Sequence, residues 1–126
     1  MANDDAEPPL IKPQESRAVR PVLRTIGPVI PSRLMPVIRF LAGHSERVIF
    51  SDHAIERMDE RGVTDEEVLS VLRLGEIRGA VAPGDGCGEW RCKVVARPRG
   101  SRLLGVVTIV MLDDYLFIKT VEWEDK

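Results

Sequence analysis

The chain is poor in the residues that usually announce chemistry: two cysteines, two histidines and 5% aromatics in 126 positions. Cys87 and Cys92 stand at a spacing that fits neither a CxxC redox pair nor a zinc knuckle, so they are expected to be reduced and incidental. So few aromatic rings leave no array on which RNA bases would stack. Long apolar runs are also missing. The longest, Leu103 to Leu112, is broken by Gly105 and Thr108 and is too short to cross a bilayer as a helix. The opening MANDDAEPPL has no basic segment leading into an apolar one, which excludes a secretory signal there and makes a cytoplasmic location the expectation. Charge of one sign is lacking too. A net charge of -2 gives no global attraction to nucleic acid or to an anionic membrane, so any polyanion must be held by a local basic stripe.

Several site motifs are absent. No GxxxxGK[ST] or GxGxxG opens a helix after a strand, and GDGCG has glycines without that context. There is no HExxH, no serine or cysteine nucleophile beside a base, and no cluster with metal-ligand spacing. The expectation is a protein with no cofactor, no metal and no bound nucleotide cofactor.

What is present is the balance of one soluble globular domain, with 44% hydrophobic and 30% charged residues. Seven of the nine prolines fall at or before Pro36. Proline at that density removes backbone donors, so residues 1–35 read as a proline-rich extended or disordered arm and residues 36–126 as a single folded domain. Met35 stands where the pattern changes and is an alternative start.

From Pro36, PVIRFLAG sets Val37, Ile38, Phe40 and Leu41 on a helical stripe ended by Gly43. RVIF, residues 47–50, reads as a strand running into the N-cap residues Ser51 and Asp52 of a helix over 52–61. VTDEEVLSVLRLG carries a capping box, Thr64 with Glu67, and apolar residues at helical spacing up to Gly75. Beyond Gly75 the period changes to two. EIRGAVA is a strand and PGDGCG a loop. EWRCKVVAR alternates Trp90, Cys92, Val94 and Ala96 against Glu89, Arg91, Lys93 and Val95. LLGVVTIVML is apolar on both faces, as a central strand covered on both sides would be, and YLFIKTVEW returns beside it. The expected fold is α+β, with N-terminal helices packed on a C-terminal antiparallel β-meander.

Two groups of side chains are candidates for chemistry. With His53 at zero on a helical wheel, Arg57 falls near about 40° and Arg61 near about 80°, beside the apolar stripe of Ala54, Ile55 and Met58. The two guanidiniums can clamp a phosphate, and the imidazole can move a proton near neutral pH. Glu56, Asp59 and Glu60 are interleaved, however, and an ordinary salt-laced helix explains the same pattern. The second group is Glu89, Arg91 and Lys93 on one face of a strand, a general base with phosphate contacts if that face turns toward the helix, and a solvated face otherwise. Together these groups would serve metal-independent RNA cleavage, with His53 as acid or base, Arg57 and Arg61 as clamps, and Glu89 with Arg91 as the opposing wall. The alternative is a non-catalytic protein-interaction or regulatory module.

The stretch FSDHAIERMDERGVTDEEVLSVLRLGE, with GEWRCKVV, LLGVVTIVML and LFIKTVEWED after it, resembles the bacterial family catalogued as domain of unknown function 4258. That resemblance covers about residues 47–125. It implies a toxin of a toxin-antitoxin pair, with a fold similar to the small ribonuclease toxins of the RelE and barnase type. The partners implied are an antitoxin protein and RNA, with no membrane, and the implied positions are His53, Arg57 and Arg61, then Trp90 and Arg91.

Overall fold

Proline is tolerated in the first turn of a helix, where its missing N–H has no intrahelical partner to lose. The first helix uses this: α1 runs over Pro31–Ala42 and opens at Pro31 rather than at the expected Pro36. Pro36 lies inside it on the exposed side, where water can serve the carbonyl left without a donor, while Leu34 and Met35 are buried in the core. The structure, a computed structural model, describes residues 30–86, 88–111 and 114–124. The expected arm therefore lies, over residues 1–29, outside the described residues.

A short 3₁₀ turn, Ser45–Arg47, leads into β1, Val48–Phe50. Helix α2 is Asp52–Arg61 and helix α3 is Asp65–Leu74. Four strands follow: β2, Glu76–Pro83; β3, Trp90–Ala96; β4, Leu104–Met111; and β5, Tyr115–Trp123. The Ser51 hydroxyl accepts the Ala54 N–H at 2.9 Å, and α2 stops at Gly62, whose φ of 67° is the left-handed conformation that glycine takes without strain. The capping box at the start of α3 is formed in both directions.

The five strands make one sheet in the order β1-β5-β4-β3-β2. This is an α+β fold, but it corrects the expected arrangement in two ways. The helices do not all precede the strands, because β1 lies between α1 and α2. The sheet is mixed rather than a pure antiparallel meander, because β1 pairs parallel with β5 while the other neighbours are antiparallel. The cause is at Ser51, where the chain leaves the sheet. Its N–H donates to the Ile118 carbonyl and its hydroxyl to the Lys119 carbonyl, each at 3.0 Å, so β1 ends against the middle of β5 and turns into α2.

The register divides the sheet into two faces. Val48, Leu116, Val110 and Trp90 form one row across four strands and face the helices. Leu34, Ile38, Val68, Leu72 and Met58 meet this face, and with Val94, Val106 and Ile118 they form the core. The adjacent row, Ile49, Phe117, Ile109 and Arg91, faces the other way, since successive strand residues point to opposite sides. The central position expected for LLGVVTIVML is met by β4, but its second face differs from the expectation. Among the described residues no helix or strand covers that face, where Ile109 is nonetheless buried.

Candidate functional site

Helix α2 carries His53, Arg57 and Arg61 at the spacing that sets them along one edge. Ala54 and Met58 are its buried residues, while Ile55, assigned to the apolar stripe, is 54% exposed. Arg57 is ion-paired to Glu60, and Arg61 lies 3.8 Å from the same carboxylate. The Arg61 carbonyl accepts the indole N–H of Trp123 at 3.1 Å, which ties the end of α2 to the end of β5. His53 is exposed and makes no side-chain hydrogen bond among the described residues. The arrangement is a salt-laced solvent edge, with its guanidiniums occupied by a carboxylate.

Glu89 and Arg91 lie elsewhere. Glu89 precedes β3, and its carboxylate accepts the Gly86 N–H at 3.0 Å. The loop closes around it, with the Gly84 N–H donating to the Glu89 carbonyl at 2.8 Å. Arg91 is exposed in the row that points away from the helices and has no ion-pair partner among the described residues. The five expected residues therefore form two groups, and the sheet stands between them.

The face bearing Arg91 has features that no sequence motif marks. Asp85, Glu89, Ile109, Met111 and Phe117 line an open hollow of about 230 Å³, an apolar floor with two carboxylates on its rim. Farther along the same face Lys93 lies 3.1 Å from both Glu122 and Glu124, and Arg78 reaches Glu124 at 3.5 Å. The hydrogen bond that the Lys93 ammonium donates to the Glu124 carboxylate is the main cause holding it above its ordinary range. Gly105 lets this pair lie flat on the sheet, since a Cβ there would meet the Glu124 carboxylate at 2.5 Å. The alternation of β4 and β5 contained the clue: Ile109, Met111 and Phe117 are apolar at positions out of phase with the core.

The family model described as Domain of unknown function (DUF4258) matches residues 50–123. The chain belongs to that family. No curated protein and no solved structure matches it. The matched DUF4258 stretch holds α2, α3 and the antiparallel strands β2 to β5, and both candidate groups fall within it. Among the described residues of this DUF4258 protein no group of three or more His, Cys, Asp or Glu is placed to hold a metal ion, and no helix is long and apolar enough to cross a membrane.

One cationic cluster of the DUF4258 domain is structural. Arg99, in the turn between β3 and β4, pairs with Glu67 and donates to the Gly62 carbonyl, while its guanidinium and that of Arg102 lie over the Trp123 ring at 5.1 and 4.4 Å. Arg99 thus clamps the α2–α3 junction to the far end of the sheet. Its hydrogen bond, with the Thr64 contacts of the capping box behind it, holds the Glu67 carboxyl down to about 2. A depressed carboxyl contributes stability that is present above its unfolded pKa and is lost as pH falls toward the folded value. Stability is therefore expected to drop from pH 4.5 toward pH 2, and Glu67→Gln should flatten that part of the profile, as measured by thermal melts across the range. Glu67→Ala, which also removes the cap, should cost about 1.5 kcal/mol. Burial pushes the Cys92 thiol up to about 12, so it is inert, and Cys87 lies outside the described residues.

Proposed function

We propose that this DUF4258 protein is a non-catalytic interaction module that binds a protein partner across the open face of its sheet. One observation carries the reading: Glu89 and Arg91 lie on one side of the sheet and His53, Arg57 and Arg61 on the other. An acid, a base and the cations that receive a phosphate must act on the same few atoms, and a sheet between them prevents that. The open face instead combines an apolar floor with carboxylates, which suits basic and apolar side chains of a protein better than a polyanion.

A toxin-type endoribonuclease, with the RelE- or barnase-like fold, is the second reading. It is favoured by Arg91, which among the described residues has no carboxylate partner and stands on the face where Glu89 rims the hollow. On this reading Glu89 is the base and Arg91 the phosphate contact, and the α2 cations are outside the site.

Expression in a bacterial host separates the two. Wild type, His53→Ala/Arg57→Ala and Glu89→Gln/Arg91→Ala should all permit equal growth and leave cellular RNA uncut if the module reading holds. Growth arrest with RNA fragments, relieved by Glu89→Gln/Arg91→Ala alone, would establish the ribonuclease on the open face. Relief by His53→Ala/Arg57→Ala alone would return the site to α2.

A further inference from the structure

We infer that the open face is an interface between two copies of this chain, in which Arg91 of each copy enters the hollow of the other; this rests on the reading of that face as a docking surface. The face carries both halves of an ion pair and leaves them apart. Arg91 is exposed and stands in register with Ile109 on the floor of the hollow, while Asp85 and Glu89 form the rim. Among the described residues none of the three has an ion-pair partner, and the Glu89 carboxylate accepts only the Gly86 N–H. An isologous dimer needs a patch of this kind, since residue i meets residue j and residue j meets residue i. A two-fold axis lying between two facing sheets, and passing midway between Arg91 and the hollow, carries each Arg91 over the hollow of the second copy.

The chemistry of the hollow matches that side chain. The floor of Ile109, Met111 and Phe117 receives the methylene stem of an arginine, and the two carboxylates receive its planar fork of donors. Sheets packed face to face stand about 10 Å apart, a gap that an arginine side chain can cross. The row of Ile109 and Phe117 continues to Ile49, which is 42% exposed, so the same contact takes apolar surface out of water beside the ion pairs. Farther along the face Lys93 is matched by Glu122 and Glu124, and Arg78 by Glu124, so these groups neither drive nor oppose the contact. A net charge of -2 on each chain gives little repulsion between copies.

Analytical ultracentrifugation of the full chain over a dilution series tests this by exchanging the charges. Wild type should form a dimer. Arg91→Glu and Asp85→Arg/Glu89→Arg should each weaken association by roughly a hundredfold, because every substitution counts twice in a symmetric dimer. An equimolar mixture of the two variants should return to the dimer, since the acid placed at position 91 then meets the cations placed at positions 85 and 89, and the unchanged Arg91 meets the unchanged rim. Glu56→Lys/Asp59→Lys, a charge change on α2, should leave the dimer intact. Arg91→Ala, at an exposed position, should weaken association by roughly tenfold and serves if the arginine pair fails to fold. A wild type that stays monomeric at every concentration would overturn the inference, as would a dimer that Arg91→Glu leaves intact, or folded variants that remain apart when mixed. The expression assay is independent of this outcome. Monomeric wild type with harmless expression would remove the second copy and leave the module reading with a different protein as partner. Growth arrest relieved by Glu89→Gln/Arg91→Ala alone would end the module reading whatever the oligomeric state.

Discussion

Replacing Gly75 by alanine is expected to destabilise the protein by about 3 kcal/mol, although it adds only one methyl group. Gly75 sits where α3 gives way to β2, and its N–H still donates to the Val71 carbonyl at 2.8 Å. A Cβ there would press on two backbone oxygens, that of Val95 on β3 and that of Val71, the latter at 2.6 Å. Neither oxygen belongs to a side chain that can swing away. Relief requires α3 and β3 to separate, and that opens the core around Val71, Leu72 and Val94, all fully buried. The Arg39 guanidinium, which donates to the Gly75 carbonyl at 2.9 Å, would shift as well. For a domain of this size the melting temperature should fall by on the order of 15 °C. By contrast Gly105→Ala, which would meet only the Glu124 and Lys93 side chains, should cost less than about 1 kcal/mol.

The second large effect contrasts two neighbours on β5. Ile118→Ala should cost roughly 3 to 4 kcal/mol, while Phe117→Ala, a larger truncation, should cost less than about 1.5 kcal/mol. Ile118 is completely buried among the helices and is in register with Phe50 and Thr108. Its removal leaves a cavity that rigid neighbours on both sides cannot fill. Phe117 points to the open face, is only half-buried and lines the hollow, so its loss exposes little that was dry. Chemical denaturation of both variants reads the difference directly. Equal costs would mean that something packs on the second face as tightly as the helices pack on the first.

Much of the local structure was legible because its causes are local. Thr64 and Glu67 cap α3 as their spacing requires, Ser51 opens α2, and the alternation of Trp90, Cys92 and Val94 against Arg91 and Lys93 gives β3 its two faces. The misread parts depend on contacts distant in sequence. Three residues of β1 carry no sign of whether a strand 68 positions later will run parallel to them. Pro31 read as part of the arm and Pro36 as the start of the helix, yet the burial of Leu34 and Met35 draws both into α1. Arg99 carries no sign of its role in its own stretch of sequence, since that role comes from Glu67, 32 positions away.

The candidate site failed to converge for a reason already contained in the alternation. Helices cover the more apolar face of a sheet, so a strand with Cys92 and Val94 on one side turns Arg91 to the other. The α2 cations belong to the helix layer on the first face. A polar face of β3 turned toward α2 would have required the helices to pack on Arg91 and Lys93 and to leave Val94 and Val106 in water, a reversal that the burial of the core forbids.

A nitroxide spin label on a cysteine at position 91, introduced as Arg91→Cys with Cys87→Ser, tests this division most directly. The label should broaden the NMR signals of the Ile109 methyls and the Phe117 ring while leaving the His53 ring signals sharp. Sharp Ile109 and Phe117 signals with a bleached His53 would contradict the account and bring the two groups of residues back into one site.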